Sequence, residues 1–166
     1  MRYNAGPYGV RAHLFINNPL ASEYPSGTTT SGYDVLTDDD GNYSVPYNRR
    51  HIYDGDVAVV YRVERNATLR EPGNIVAVAR ITSSPWMLTA NEARVNWTLR
   101  KLQRRAWISS ADMRSSGLWD HKVPFSSNGQ VANPVEQDVQ RWHWLRKRLP
   151  KATLTWLDAY AKQFAT

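Results

Sequence analysis

Arginine, tryptophan and tyrosine are the side chains whose chemistry points most directly to a class of ligand in this chain. The sequence holds seven Trp and nine Tyr, and 21 Lys and Arg against 15 Asp and Glu give a net charge of +6. Guanidinium groups bind phosphates through paired hydrogen bonds, and aromatic rings stack on unpaired nucleobases. The composition therefore favours a nucleic-acid partner, although most of the rings are expected in the core of so small a domain.

Residues typical of catalytic centres do not recur in any informative spacing. The four His residues, at 13, 51, 121 and 143, are scattered, and the chain has no Cys for a thiolate metal site or a disulfide. Asp38-Asp39-Asp40-Gly41 resembles a calcium loop, but the twelve-residue ligand frame fails after Gly41. A Gly-rich phosphate loop and a Gly-x-Ser-x-Gly elbow are both absent. We therefore expect a non-enzymatic chain with no catalytic residue, metal or cofactor.

Length and composition bound the class of protein. With 166 residues, 42% of them hydrophobic, the chain is expected to form one domain of ordinary size with a real core. No apolar run reaches membrane-spanning length, and the N-terminus lacks the pattern of a signal peptide. We expect a soluble, cytoplasmic protein with no membrane partner. Residues 1–150 are assigned to the domain, and 151–166 to a C-terminal helix or the start of a linker to a further domain.

Strands dominate the middle of the chain. Asp54-Gly55 predicts a tight turn into a strand over 57–63, and a second strand over 75–81 is its natural antiparallel partner. Both strands are apolar on both faces, which predicts a central place in the sheet. Residues 93–102 alternate, so that Val95, Trp97 and Leu99 face the core of a half-buried strand. A first strand is predicted over 10–16.

Helices are predicted at the end of the chain and in the last crossover. Ser109 is a candidate N-cap of a helix that ends at Gly117. Asn133-Pro134 predicts the start of a helix that runs to about Leu149, and a last amphipathic helix covers roughly 153–164. The fold class is therefore α+β, with a curved sheet or barrel of about five to six mostly antiparallel strands surrounded by helices.

The order of these elements over residues 10–148 resembles that of the EVE family, which belongs to the PUA-like superfamily and is related to the YTH readers. The resemblance lies in an opening strand before a proline, an aromatic segment rich in Asn and Arg, a glycine-aspartate strand, a strand with small residues, and a closing strand. These segments are Ala12–Pro19, Tyr43–Tyr53, Gly55–Tyr61, Ile75–Pro85 and Gln130–Pro134. The resemblance implies a PUA-like fold whose small pocket holds a modified or flipped base.

A pocket for one base needs rings to stack on it and polar groups to read its edge. Asn amides offer a donor and an acceptor together. The ring candidates are Tyr43, Tyr47, Tyr61 and Trp86, and the edge candidates are Asn17, Asn18, Asn48 and Ser83. The alternative is that Tyr61 and Trp86 are core aromatics and that the Asn side chains stabilise turns.

Phosphate contacts are expected from arginines beside this pocket. Arg62, Arg65 and Arg70 lie in the connection between the two central strands, Arg49 and Arg50 lie upstream, and Lys122 lies in a later loop. The alternative is a solvated face. The run Arg100–Arg105 is the densest charge, and the sequence leaves open whether it follows a phosphate backbone or ends a strand in solvent.

The function implied by the resemblance is recognition of a modified base in double-stranded DNA, with 5-methylcytosine or 5-hydroxymethylcytosine favoured. The base would be flipped into the pocket, and the chain would be the recognition module of a modification-dependent restriction endonuclease whose cutting domain lies elsewhere. Two alternatives stay open. One is a PUA-like protein that reads modified or structured RNA, and the other is a basic domain whose partner is a protein.

Overall fold

A curled, mixed sheet forms the centre of the computed structural model, which describes residues 12–17, 19, 33–38, 41–45, 52–63, 73–119, 131–134 and 139–161. The fold is α+β, as predicted. The strands are β1 (Ala12–Asn17), β2 (Asn42–Val45), β3 (Val57–Val63), β4 (Gly73–Ile81), β5 (Trp86–Thr89), β6 (Glu92–Lys101), β7 (Ile108–Ser109) and β8 (Val131–Pro134). The helices are α1 (Ser110–Ser115), α2 (Val139–Arg148) and α3 (Lys151–Ala161), and a 3-10 turn spans Arg104–Ala106.

Six strands follow one another across the sheet in the order β2-β6-β4-β3-β1-β8. Two short strands join its flank, since β5 pairs with β6 and β7 pairs with β4. Strands β1 and β3 run parallel, and the other described pairs are antiparallel. The prediction of a curved, mostly antiparallel sheet with β3 and β4 as central partners is therefore confirmed.

Each face of the sheet has its own core because successive side chains of a strand point to opposite sides. On β3, Val59 and Tyr61 pack into the first core, whereas Ala58 and Val60 pack into the second. The first core is covered by residues of all three helices, among them Met113, Trp142, Leu145 and Leu157. The second core is rich in aromatic rings. These two layers explain why β3 and β4 are apolar on both faces.

The Asp54-Gly55 turn and the carboxylate after it fix the start of β3. Gly55 has a φ of +94°, which a residue with a Cβ rarely adopts. The buried Asp56 carboxylate accepts a hydrogen bond from the Tyr53 N–H at 2.9 Å and lies 2.9 Å from Nε2 of the buried His13 on β1. The tight turn predicted from Asp54-Gly55 is therefore present, and the Asp56 carboxylate after it links β3 to β1.

Helix α1 begins and ends as predicted. The Ser109 hydroxyl accepts a hydrogen bond from the Asp112 N–H at 3.1 Å, and Gly117 has a φ of +72° after the last turn. The prediction that Asn133-Pro134 starts a helix is wrong, because both residues belong to β8, which pairs antiparallel with β1. Strand β8 lies at the edge of the sheet, where proline is tolerated. Helix α2 begins only at Val139.

Helix α3 packs on the sheet and against α2. It begins at Lys151, slightly before the predicted residue 153, and buries Leu157 and Tyr160. The Tyr160 hydroxyl donates to the carbonyl of Ile81 at 2.6 Å, and Arg146 of α2 binds both carboxylate oxygens of Asp158. None of the helices described in the structure is both long and apolar enough to cross a membrane.

Candidate nucleic-acid interface

The Tyr43 ring, a predicted base-stacking group, lies inside the second core. Its neighbours are Trp97 at 4.5 Å and Phe15 at 5.7 Å between ring centroids, both stacked, and Tyr33 at 5.6 Å, edge-on. The Tyr43 hydroxyl donates to the carbonyl of Ile16 at 2.7 Å. Only 3% of the residue is exposed. The protein's own rings thus occupy both the face and the edge of this side chain.

Tyr61 and Trp86 do not share a pocket with Tyr43. Tyr61 is fully buried in the first core, on the opposite face of the sheet. Trp86 is opposite Arg94 on β6, whereas Tyr43 is opposite Val95, so the two rings also lie on opposite faces. The prediction of one pocket lined by all three rings is corrected in this respect, because strand alternation separates them.

Trp86 and Ser83 are brought together by Asn96. The indole Nε1 of Trp86 donates to Oδ1 of Asn96 at 2.9 Å, and the Ser83 hydroxyl accepts from the Asn96 N–H at 2.8 Å. Trp86 is partly exposed, and Asn96 is exposed. On the same face, Arg94 is buried by an ion pair with Glu92 at 2.8 Å and a hydrogen bond to the Asn42 side chain. Trp86 is the one predicted ring among the described residues with an accessible surface.

Asn17 stabilises a loop, as the alternative reading of the Asn residues proposed. Its side-chain amide donates to the carbonyl of Tyr33 at 2.9 Å and accepts from the Val35 N–H at 3.1 Å. These two bonds attach the segment 33–38 to the end of β1. The other predicted pocket residues, Asn18, Tyr47 and Asn48, lie outside the described residues, as do the predicted phosphate contacts Arg49, Arg50, Arg65, Arg70 and Lys122.

Arg62, the remaining predicted phosphate contact, binds a carboxylate of the protein itself. Its guanidinium donates two hydrogen bonds to Asp34, at 2.9 and 2.8 Å. Both side chains are 19% exposed. The bond from Arg62, helped by the Leu36 N–H, holds the pKa of Asp34 below its usual value of 3.8 although burial opposes the shift. A phosphate would have to compete with this bidentate pair.

We expect Asp34→Asn to lower the free energy of unfolding by about 1 kcal/mol at neutral pH, as for a partly buried pair. Because the pKa of Asp34 is lower in the folded protein, its contribution is present above the unfolded value and is lost as the pH falls through the folded value. Urea unfolding at neutral pH and at about pH 2 measures this. A deficit of equal size at both pH values would contradict the assignment.

A basic cavity opens where β6, the 3-10 turn and the start of α3 meet. Its volume is about 500 Å³. This site is named the basic cavity. It is lined by Arg100, Lys101, Leu102, Gln103, Arg105, Ala106, Pro150, Ala152 and Thr153. Arg100, Lys101 and Arg105 are exposed. Arg100 and Arg105 form no ion pair within the part of the chain that the structure describes, so their charges face the cavity uncompensated.

The backbone fixes the positions of these cations. The last residues of β6 pair with β4 up to Lys101, opposite Ala77, and the Leu102 N–H donates to the carbonyl of Val76 at 2.8 Å. The 3-10 turn then loops out before β7 continues along β4 in the same direction as β6, and the indole of Trp107 donates to the carbonyl of Leu102 at 3.2 Å. Arg105 is therefore carried by a turn that is bonded at both ends, next to the end of the strand.

The Trp156 ring of α3 is shared by two arginines, one of which, Arg100, lines the cavity. The guanidinium of Arg80 lies 4.1 Å from the ring centroid and that of Arg100 lies 5.0 Å from it. Burial, and next the nearby positive charge of Arg100, lower the pKa of Arg80. Two like charges held on one ring repel each other, so an anion bound between or beside them would be stabilised by both.

The sequence left the role of the Arg100–Arg105 run open, and the structure places it at this concave site. Charge density was the signal that pointed to it. The contribution of α3 had no such signal, since Pro150 indicates only a break between helices. In the described ranges no group of three His, Asp or Glu side chains is placed to hold a metal ion.

Comparisons with known proteins found nothing similar to this chain. No family model matches it, and searches of curated proteins and of solved structures gave no match. The likeness to the EVE family therefore remains a prediction from the residues quoted above.

Proposed function

We propose that this protein is a nucleic-acid-binding domain that holds a phosphate backbone at the basic cavity. The observation that carries the proposal is the presence of two exposed guanidinium groups, those of Arg100 and Arg105, on the wall of one concavity at the start of α3. Counterions released from phosphates by such a cluster supply most of the affinity of non-specific nucleic-acid binding. The net charge of +6 favours the same class of partner at longer range.

The absence of compensating acids supports a polyanion in particular. A surface that binds peptides usually combines apolar anchors with charges of both signs, whereas the described walls of the cavity contain no Asp or Glu. Arginine also suits phosphate because its planar fork binds two oxygens at once. Phosphate contacts position the ligand without reading its sequence, so recognition of a base needs a second element.

The proposal extends to DNA that carries a modified base, with 5-methylcytosine or 5-hydroxymethylcytosine favoured. This part depends on the resemblance to base-flipping readers, and chemistry on the DNA would belong to a separate nuclease domain. Flipping costs a few kcal/mol, and stacking on an aromatic ring returns about 1–3 kcal/mol per base. Among the described rings, the accessible Trp86 beside Asn96 and Ser83 is the best placed to supply such stacking.

The test compares one duplex with and without the modified cytosine. We expect tighter binding of the modified duplex, and we expect Trp86→Ala to lower that preference by about tenfold while weak general binding persists. Trp86→Phe, which keeps a ring, is the matched control and should retain most of the preference. Fluorescence anisotropy with labelled oligonucleotides at several salt concentrations measures both quantities.

Other outcomes would point elsewhere. Equal binding of all duplexes at low salt, lost at moderate salt, would mean counterion release alone and would contradict base recognition. Preference for an RNA of the same sequence would favour the RNA-binding alternative. Full discrimination by both Trp86→Ala and Tyr47→Ala would contradict the assignment of the stacking rings.

A further inference from the structure

The start of α3 opens into the basic cavity without a cap. The Leu154 N–H donates to the carbonyl of Pro150 at 3.0 Å, which makes Pro150 the N-cap residue. Proline has no side-chain oxygen to accept a hydrogen bond from the first turn. The first turn of α3 carries no acidic residue, and the N–H groups of Lys151, Ala152 and Thr153 have no acceptor in the described part of the chain.

Thr153 supplies a second, independent observation. The residue is only 5% exposed, lines the cavity, and makes no hydrogen bond within the described ranges. Thr155, one step further along the helix, behaves differently, since its hydroxyl donates to the carbonyl of Lys151 at 3.0 Å. A hydroxyl on the wall of a cavity that makes no hydrogen bond within the described residues is able to donate to a ligand with acceptor oxygens.

We propose that the first turn of α3 binds a phosphate group inside the basic cavity. The N–H groups of Ala152 and Thr153 and the Thr153 hydroxyl donate to its oxygens, and Arg100 and Arg105, which line the same cavity, neutralise its charge. This inference deepens the proposed function, because it assigns the seat of one phosphate of the bound nucleic acid. Free inorganic phosphate shares the same chemistry, and the experiment below distinguishes the two sources.

Helix geometry favours an anion at this position. The aligned peptide dipoles place about half a positive charge at the N-terminus of a helix, and the free N–H groups point along the axis toward the ligand. Helix α3 has 11 residues, enough for this field to develop. The volume of about 500 Å³ exceeds what one phosphate needs and leaves room for an attached nucleoside.

The experiment introduces a carboxylate where the phosphate would bind. Ala152→Glu places an acid in the first turn, which favours the helix and therefore preserves the fold. We expect this variant to bind both inorganic phosphate and an oligonucleotide about tenfold or more weakly than the wild type. Ala159→Glu makes the same change at an exposed residue outside the cavity, two helical turns or about 10 Å further along the axis, and should alter either affinity by less than about twofold. Changes in amide chemical shifts during NMR titration measure the binding of phosphate, and fluorescence anisotropy measures the binding of the oligonucleotide.

A second variant removes only the hydroxyl. Thr153→Val keeps the shape of the side chain and should weaken phosphate binding by about tenfold or more through the loss of one hydrogen bond to a charged group. Thr155→Val is its matched control and should leave phosphate binding unchanged. Thermal unfolding of all four variants verifies that each is folded at the temperature of the titration.

The outcomes separate this inference from the proposed function. If Ala152→Glu loses affinity for both ligands, a backbone phosphate is supported as the occupant. If it loses affinity for inorganic phosphate alone, the free anion is supported. Wild-type affinity for both ligands in Ala152→Glu would overturn the inference, while the proposed function would stand if substitution of Arg100 and Arg105 still abolished oligonucleotide binding. Oligonucleotide affinity that survives every one of these changes would overturn both.

Discussion

The double variant Arg100→Glu/Arg105→Glu should bind an oligonucleotide at least about 100-fold more weakly than the wild type at low salt. Each substitution removes a charge-assisted hydrogen bond, worth about 1.5–3 kcal/mol, and adds a repulsive carboxylate to the basic cavity. The slope of log affinity against log salt should fall by about two, one for each lost phosphate contact. Fluorescence anisotropy over a range of salt concentrations measures the affinity and the slope together.

General loss of positive charge has to be separated from loss of the site. Arg114→Glu/Lys147→Glu makes the same change in net charge at two exposed residues that do not line the cavity. We expect this control to lower affinity only several-fold, because neither side chain lines the cavity and exposed charges are screened by salt. A loss as large as that of the first variant would mean that the whole surface attracts the polyanion and that the cavity has no special role.

Trp97→Ala should lower the free energy of unfolding by about 3–5 kcal/mol, the largest stability effect expected for a single substitution here. Trp97 is 4% exposed and contacts the rings of Tyr43, Phe15 and Tyr33, with centroids 4.5, 6.0 and 6.4 Å away. Its removal would leave a cavity among rings that cannot collapse into it. Urea unfolding followed by tryptophan fluorescence and circular dichroism gives the change.

Trp86→Ala is the comparison for this effect. Its ring is partly exposed and its indole hydrogen bond lies at the surface, so the cost should be about 1 kcal/mol or less. Trp97→Ala should therefore affect mainly the stability of the protein, and Trp86→Ala should affect mainly its binding of the modified duplex. If Trp97→Ala left stability intact but abolished binding of the modified duplex, the second core would be a ligand pocket and its description as packing would be wrong.

Local signals predicted the elements that depend on neighbouring residues. The alternation of Val95, Trp97 and Leu99 predicted the buried face of β6, and Ser109 with Gly117 predicted both ends of α1. The parallel pairing of β1 with β3 could not be foreseen, since it joins segments 45 residues apart, from Ala12 to Val57. The same holds for β8, where pairing with β1 overrides the helix-start chemistry of Asn133-Pro134.

The candidate site shows the same division. The sequence indicated that aromatic rings and arginines are the candidate functional groups. It did not indicate that Arg62 would bind Asp34, which is 28 residues away in the chain. Nor could it tell that Tyr43 and Tyr61 would face different cores, because strand parity gives a side only after the sheet is assembled. The cavity forms where the end of a strand meets the start of a helix, and the sequence of neither segment alone predicts that they meet.

The two ends of helix α3 contact different parts of the molecule. Its first turn opens into the cavity, and near its other end Tyr160 is bonded to Ile81 and to Asp54 of the turn before β3. A shortened version of the chain that stopped at Pro150 would therefore lose one wall of the cavity together with the brace that orients it. Expression boundaries for binding studies should lie beyond Ala161.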